Sequence, residues 1–527
     1  MSGLDRNRLA GGEERARMKQ YKNNSKHEDS RRRRTECSVE LRKQKRDDDM
    51  MKRRNVVLEE DAEEGQDCFK NEDSEVKRVE QPGSVVIAEA VRVLSNSPDL
   101  AQMLVTFESV RRLLSKSKDP PVEEIVKSGL LNALTEGLTI QHEKIQFECA
   151  WAITNVVSGD TSQTIEAVKT GCTPRLLALC RTGKLNLIEQ ALWAIANITG
   201  DSSQLRDYAI SEGLLEVLTD LIKNAHTTKV ELVRVMAWTL SNLCRHKNPH
   251  PSPMAIKKIL PNIHILMEHQ DKAVRQDACW ALSYMSDGPD EQIALVASEK
   301  TLQILLDMLK SKVDSWVAPA LRVFGNIATG ADFLTQYVVD CGALNVLPSL
   351  MEKKKATIIK ECAWLISNIA AGSQGQIQAI IESKCLEHVF QTFYNGDHKS
   401  IFECSWVVSN IVQGGTTNQI LALREYGGIA ALCSQLNAPN AEVTVNILDT
   451  LKGILDASRS VSDQVLAKTT TEIEECNGLD KIEALQQQEN DNIYKSSYEI
   501  ISEFFNTGDD DFDNDESKEN EMDRFNF

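Results

Sequence analysis

The sequence predicts an all-α solenoid of about ten stacked helical repeats, and three observations carry that prediction. One tryptophan phrase recurs at a fixed period. The text between its copies has the periodicity of amphipathic helices, with no run alternating for long enough to suggest a sheet. Charge divides the chain into a basic arm, an acidic linker, a mildly acidic body and an acidic tail.

Six of the seven tryptophans open the same phrase: WAITN at Trp151, WAIAN at Trp193, WTLSN at Trp238, WALSY at Trp280, WLISN at Trp364 and WVVSN at Trp406. The spacings are 42, 45, 42, 84 and 42, and the gap of 84 holds RVFGN at Arg322, 42 residues from each neighbour. A period near 42 with about three helices per unit is that of the armadillo/HEAT class. Such units bury their apolar faces against one another and present an extended concave surface. Six of the seven phrases are followed by a glycine-bearing turn (VVSGD, NITGD, MSDG, IATG, IAAG, IVQGG), where glycine is expected to cap the helix C-terminus. A second start of the form G-x-L/I follows, as in SEGLLEVLTDLI and EYGGIAALCSQL.

Taken in order, residues 1–58 form the arm, 59–80 the acidic linker, 81–505 the repeats and 506–527 a tail expected to be disordered. The first 55 residues carry 18 Lys+Arg against 10 Asp+Glu, and the remaining 472 carry 42 against 68, giving the net -18. A basic arm on an acidic body points to an interaction protein, because the body has the wrong sign for phosphate. No segment is apolar enough to span a membrane, and the N-terminus lacks the apolar core of a secretory signal. Thirteen cysteines with no CxxC, mostly inside apolar helical text, read as small core hydrophobes of a reducing compartment. None of GxSxG, HExxH, GxxxxGK[ST] or GxGxxG occurs, so an enzyme is disfavoured and no cofactor is expected. His246 and His250 are four apart, but Pro249 and Pro251 preclude a helical metal-ligand pair.

Trp and Asn four apart share a helical face. One copy reads as core Trp with a capping Asn, but repetition on the concave helix makes a ladder. Asparagine can donate and accept toward an extended peptide backbone. Tryptophan rings form walls for Lys or Arg stems, with cation–π attraction at the head. Three residues before each Trp lie Glu148, Gln190, Val235, Asp277, Glu361 and Glu403, four of the six acidic. Such a groove suits an extended Lys/Arg-rich peptide.

The repeat array, the arm RRRRTECSVELRKQKRDDDMMKRRNV and the terminal unit GLDKIEALQQQENDNIYKSSYEII together resemble the importin-α family, adaptors for nuclear localisation signals. The resemblance implies that the arm binds importin-β, through Arg31, Arg32, Arg33, Arg34, Lys52, Arg53 and Arg54. It implies a major signal site at Trp151, Asn155, Gly159, Thr164, Gln190, Trp193, Asn197, Asp201, Trp238, Asn242 and Arg245, with Asp201 pairing the critical signal lysine. A minor site would use Arg322, Asn326, Glu361, Trp364, Asn368, Glu403, Trp406 and Asn410, with Tyr284 at its edge. The implied partners are importin-β, signal-bearing cargo and an export receptor at the final repeats, with no nucleic acid and no membrane. The implied localisation is shuttling between cytoplasm and nucleus. An armadillo scaffold binding other extended peptides in signalling or adhesion is the alternative.

The residues also offer a reason for two sites. Tyr284 replaces Asn in one repeat and Arg322 replaces Trp in the next, so a fixed cation is expected to repel a basic peptide and interrupt the ladder. Lys52-Arg53-Arg54 is itself signal-like, and the 26 residues 55–80, taken as a coil, reach roughly 28 Å. That suffices to fold the cluster back on the groove at an effective concentration on the order of mM.

Overall fold

A computed structural model describes residues 52–53, 82–116 and 119–505. Every regular element among the described residues is a helix, and none is long and apolar enough to cross a membrane. The chain forms two compact units, residues 1–369 and 370–527.

The repeat is three helices. In one unit of the array they are Thr161–Lys169, Cys172–Leu179 and Leu185–Asp201. The first begins at a capping box, in which Asp160 accepts from the Gln163 backbone N–H while the Gln163 side chain accepts from that of Asp160. Asp99/Gln102, Ser373/Gln376 and Thr416/Gln419 repeat the device. The second helix begins at a left-handed residue, supplied by glycine at Gly129, Gly171, Gly213 and Gly427, and by Lys384 and Asn477 in two later units. That placement corrects the expected glycine C-cap. The glycines after the tryptophan phrases do not adopt positive φ, and Gly200 lies within its helix. Gly159 is small for another reason: a Cβ there would sit 1.8 Å from Gln163 Oε1, displacing the arm of the capping box.

The third helix is the long one and carries the tryptophan phrase. In the first unit Leu100–Leu114, Glu143–Val157, Leu185–Asp201, Val230–Arg245, Lys272–Met285 and Asp314–Ile327 pack each on the next. Their inward positions are fully buried aliphatics such as Ile153, Ile195, Leu240, Leu282 and Val323. Ala356–Ala370 ends at the border of that unit. In the second unit His398–Gly414 packs on Ala441–Val461, which packs on Asp491–Phe504. The stacking follows from sequence, because a three-helix unit with apolar text on two faces buries them only against its neighbours.

Gly325, in the phrase RVFGN, shows how tight the stack is. A Cβ there would lie 2.0 Å from Trp364 Cζ3. Gly325→Ala therefore forces the ring or the helix to shift, and overpacking of this kind costs about 1–3 kcal/mol. Denaturant unfolding should show a lower midpoint for this variant than for Gly375→Ala, where nothing crowds the added methyl closer than 3.9 Å.

Candidate functional site: the Trp–Asn ladder

Four asparagines of the ladder brace the preceding repeat. One amide hydrogen reaches back across the repeat boundary to the backbone carbonyl three residues past the preceding Trp position. Asn197 donates to Thr154 O at 3.3 Å, Asn242 to Ala196 O at 2.8 Å, Asn326 to Ser283 O at 2.9 Å and Asn368 to Gly325 O at 3.2 Å. Asn155 reaches Ser115 Oγ instead, at 3.0 Å. These bonds fix the amide rotamers and so set where the remaining polar atoms point.

At Asn197 those atoms are occupied by the arm. The Arg53 backbone N–H donates to Asn197 Oδ1 at 2.9 Å, and Asn197 Nδ2 donates to the Arg53 carbonyl at 3.0 Å. The Trp193 indole N–H donates to the same carbonyl at 3.0 Å. One amide thus reads both backbone groups of one residue, a contact indifferent to the side chain. The Arg53 guanidinium carbon lies 4.6 Å from the Trp238 ring centroid, and Trp193 meets Trp238 edge-on at 6.3 Å.

Lys52 enters a pocket of a different kind. Its ammonium lies 2.5 Å from Asp201 Oδ1, 2.7 Å from Gly159 O and 2.9 Å from Thr164 Oγ1. Three acceptors match the three donors of an ammonium group. The Asp201 side chain is 2% exposed, and its Oδ2 is buried with no hydrogen-bond partner among the described residues. A carboxylate so withdrawn from water, helped otherwise by Thr161 Oγ1 at 3.3 Å, is stabilised chiefly by the cation opposite it. Asp201 is also the last residue of its helix, so the NITGD turn and the lysine pocket are one feature.

Six of the expected major-site residues therefore converge on residues 52–53: Gly159, Thr164, Trp193, Asn197, Asp201 and Trp238. Gln190 is buried and donates to Thr154 Oγ1 at 2.8 Å, bracing the adjacent repeat. Asn242 holds Ala196 O, and Arg245 is buried at its helix end. Arg31, Arg32, Arg33, Arg34 and Arg54 lie outside the described residues.

Two of the acidic residues before the tryptophans have an internal partner, which sequence reasoning missed. Arg111 pairs with Glu148 at 2.6 Å and lies 4.4 Å over the Trp151 ring. Arg322 chelates Glu361 through two bonds of 2.6 and 3.0 Å and lies 4.8 Å over Trp364. The expected repulsion by Arg322 is thereby corrected. Its charge is matched by Glu361 in a buried pair, and its guanidinium covers one face of the Trp364 ring. Arg322 stands 42 residues before Trp364 and Arg111 stands 40 before Trp151, a near-repeat that could have revealed the second pair.

The other stretch of the ladder falls in two parts. Tyr284, Arg322, Asn326, Glu361, Trp364 and Asn368 belong to the first unit, and Glu403, Trp406 and Asn410 lie on His398–Gly414 in the second. Tyr284 is tilted against Trp280 at 6.4 Å. The Trp364 indole N–H and Asn326 Oδ1 are buried with no hydrogen-bond partner among the described residues. They are the same donor and acceptor types that Trp193 and Asn197 offer to Arg53.

The loop after Asn242 is held by Arg206, which is fully buried and donates to His246 O at 2.8 Å and Pro249 O at 2.9 Å. His246 Nε2 lies 3.0 Å from Gly200 O, and burial lowers its pKa.

Comparison with known proteins agrees with this architecture. The importin-β-binding domain family matches residues 17–107, further along the chain than the arm of 1–58. Armadillo/β-catenin-like repeats match 118–158, 160–200, 202–245 and 334–371, and an atypical armadillo repeat matches 467–520. Importin subunit alpha-2 of Caenorhabditis elegans is 44% identical over 523 residues, covering 98% of this chain and 97% of the relative. The chain belongs to the importin-α family. Importin subunit alpha-1b of Oryza sativa subsp. japonica is 37% identical over 79% of this chain and 78% of its own. A crystallised engineered protein shares the fold at a TM-score of 0.68 and 23% identity, covering 80% of this chain and 98% of its own. With membership of this importin-α family goes the role of nuclear import adaptor rather than enzyme.

Proposed function

We propose that this importin-α holds the Lys/Arg-rich nuclear localisation signals of its cargo along the Trp–Asn ladder and links them to importin-β through residues 1–58. In the same reading Lys52-Arg53-Arg54 occupies the groove when importin-β is absent, and the adaptor shuttles between cytoplasm and nucleus, leaving through an export receptor at its last repeats. One observation carries the reading: the lysine–arginine pair at 52–53 is seated by its backbone on Asn197 and Trp193 and by its ammonium in the Asp201 pocket. A cargo peptide of the same composition meets the same groups.

A fluorescence-anisotropy titration tests it, with a lysine-rich signal peptide, an acidic peptide and an oligonucleotide as three probes on the chain lacking residues 1–55. The signal peptide should bind, and the other two should not compete. An oligonucleotide that displaces the peptide would instead make the groove a phosphate site.

Asn326, Trp364 and Asn368 supply the contacts for the second cluster of a two-cluster signal. The buried Trp364 N–H and Asn326 oxygen support this, since a peptide backbone would satisfy both. Trp364→Ala with Asn368→Ala should weaken two-cluster peptides and leave single-cluster peptides nearly unchanged. The pair Trp193→Ala with Asn197→Ala should weaken both. Equal losses for both peptides from both variants would show that the ladder is not so divided.

A further inference from the structure

The lysine pocket occupies fixed places in the repeat. Gly159 and Thr164 stand eight and thirteen residues after Trp151, and Asp201 stands eight after Trp193. The same places one repeat on, counted from Trp193 and Trp238, are Asp201, Arg206 and His246. Where Thr164 offers a hydroxyl to the Lys52 ammonium at 2.9 Å, the next repeat supplies a cation of its own. Arg206 is fully buried, and its guanidinium spans from the Thr164 place to the Asp201 place by donating to His246 O at 2.8 Å. Pro249 O at 2.9 Å and the two Asp207 oxygens, at 2.9 and 3.0 Å, hold it further. The carboxylate is replaced too. His246 stands where Asp201 stood, and its Nε2 lies 3.0 Å from Gly200 O. Toward a carbonyl an imidazole nitrogen can only donate, so that nitrogen offers a lysine no acceptor.

The rungs beside this place do not tell one frame of a peptide from the next. Asn197 and Asn242 are braced alike, on Thr154 O and Ala196 O, and Trp193 and Trp238 open the same phrase. Amides and indoles of this kind contact peptide backbone and the stems of Lys or Arg, groups that recur along any basic segment. A lysine-rich peptide moved along by one repeat would meet the same walls and amides.

We propose that Arg206 sets the register of a bound signal: it plugs the counterpart of the lysine pocket one repeat on, so that the critical lysine has a seat at Asp201 and none beside it. Within the signal-binding reading, on which this rests, Arg206 decides the frame of the peptide. A lysine moved to the neighbouring place would meet a guanidinium of like charge, a filled volume and no carboxylate. Like charges repel far more strongly where water is excluded than in solvent. Discrimination between two frames comes from such a repulsive element as much as from the attraction at Asp201. Arg206 acts by closing a site, so it is a positioning residue and makes no contact with the peptide.

Opening the plugged place tests it. The parent is the full chain with Lys52→Ala and Arg53→Ala, so that its own arm does not compete, and a labelled lysine-rich signal peptide is titrated by anisotropy. Asp201→Ala should weaken the peptide by about tenfold or more. Adding Arg206→Thr and His246→Asp, which copy Thr164 and Asp201 into the next repeat, should bring the affinity back to within about threefold of the parent. Arg206→Thr added without His246→Asp removes the plug but supplies no carboxylate, and should recover less. An arginine that only braced the loop from His246 to Pro249 would give no recovery in either case. Melts recorded on every variant show which are folded. If the Arg206→Thr pair unfolds, Arg206→Gln with His246→Asp, which keeps the stem and an amide donor for Pro249 O, should recover binding in its place. Folded variants with no recovery overturn the role of Arg206 and leave the signal-binding reading standing. A parent that does not bind the peptide, or that loses nothing on Asp201→Ala, overturns both.

Discussion

Replacing Lys52 and Arg53 together by alanine should tighten the binding of a single-cluster lysine-rich peptide to the full chain by about tenfold or more. The two residues hold Asn197, Trp193, Trp238 and the Asp201 pocket, so a free peptide must displace them first. Tethering supplies the arm at an effective concentration on the order of mM, enough for a weak ligand to prevail. An arm that keeps the groove closed about nine-tenths of the time reduces the apparent affinity about tenfold, or about 1.4 kcal/mol. Arg31, Arg32, Arg33 and Arg34 are untouched in this variant, so importin-β should still bind it. Adding importin-β should raise peptide affinity for the wild-type chain and leave that of the variant unchanged. Equal peptide affinity for both chains would remove self-inhibition from the account.

The second large effect is expected at Asp201. In the chain lacking residues 1–55, Asp201→Lys replaces a nearly buried carboxylate with a like charge facing the signal lysine. Removing one member of a desolvated hydrogen-bonded pair costs about 2–5 kcal/mol, and reversal costs at least that. Peptide affinity should therefore fall more than tenfold, at about 1.4 kcal/mol per decade. A melt recorded on the same sample separates binding from folding. Lost binding with an unchanged melt assigns Asp201 to the peptide. A lowered melt with affinity retained by the folded fraction would make it a helix-ending residue only. The buried, unpartnered Oδ2 argues for the first outcome, because a carboxylate kept merely to end a helix has no reason to be withdrawn from solvent.

The fold was legible because its signal is repeated. Tryptophans at a spacing of 42 fix the repeat length, and Gly171, Gly213 and Gly427 mark the starts of three middle helices by adopting positive φ. The turns after the tryptophan phrases were misread because glycine has two uses. At Gly159 the constraint is the Gln163 side chain reaching over it, which depends on a residue four positions on. The lysine pocket was legible at Asp201 through resemblance, but its chemistry needed coordinates: Gly159 contributes a carbonyl, and a carbonyl has no sequence signature. The same holds for Thr154, Ala196, Ser283 and Gly325, whose backbone oxygens orient the ladder asparagines. Glu148 and Glu361 looked available to cargo because their partners, Arg111 and Arg322, lie 37 and 39 residues away.

The central claim is that the pocket of Asp201, Gly159 and Thr164 is built for one lysine of a bound peptide, and a scan from the peptide side tests it most directly. Single alanine replacements along a lysine-rich signal peptide are titrated, by anisotropy, against the chain lacking residues 1–55. One lysine should cost far more than any other, by more than tenfold, and that penalty should vanish in Asp201→Ala, where the pocket has lost its carboxylate. Losses spread evenly along the peptide, or a dominant lysine equally dominant in Asp201→Ala, would contradict it.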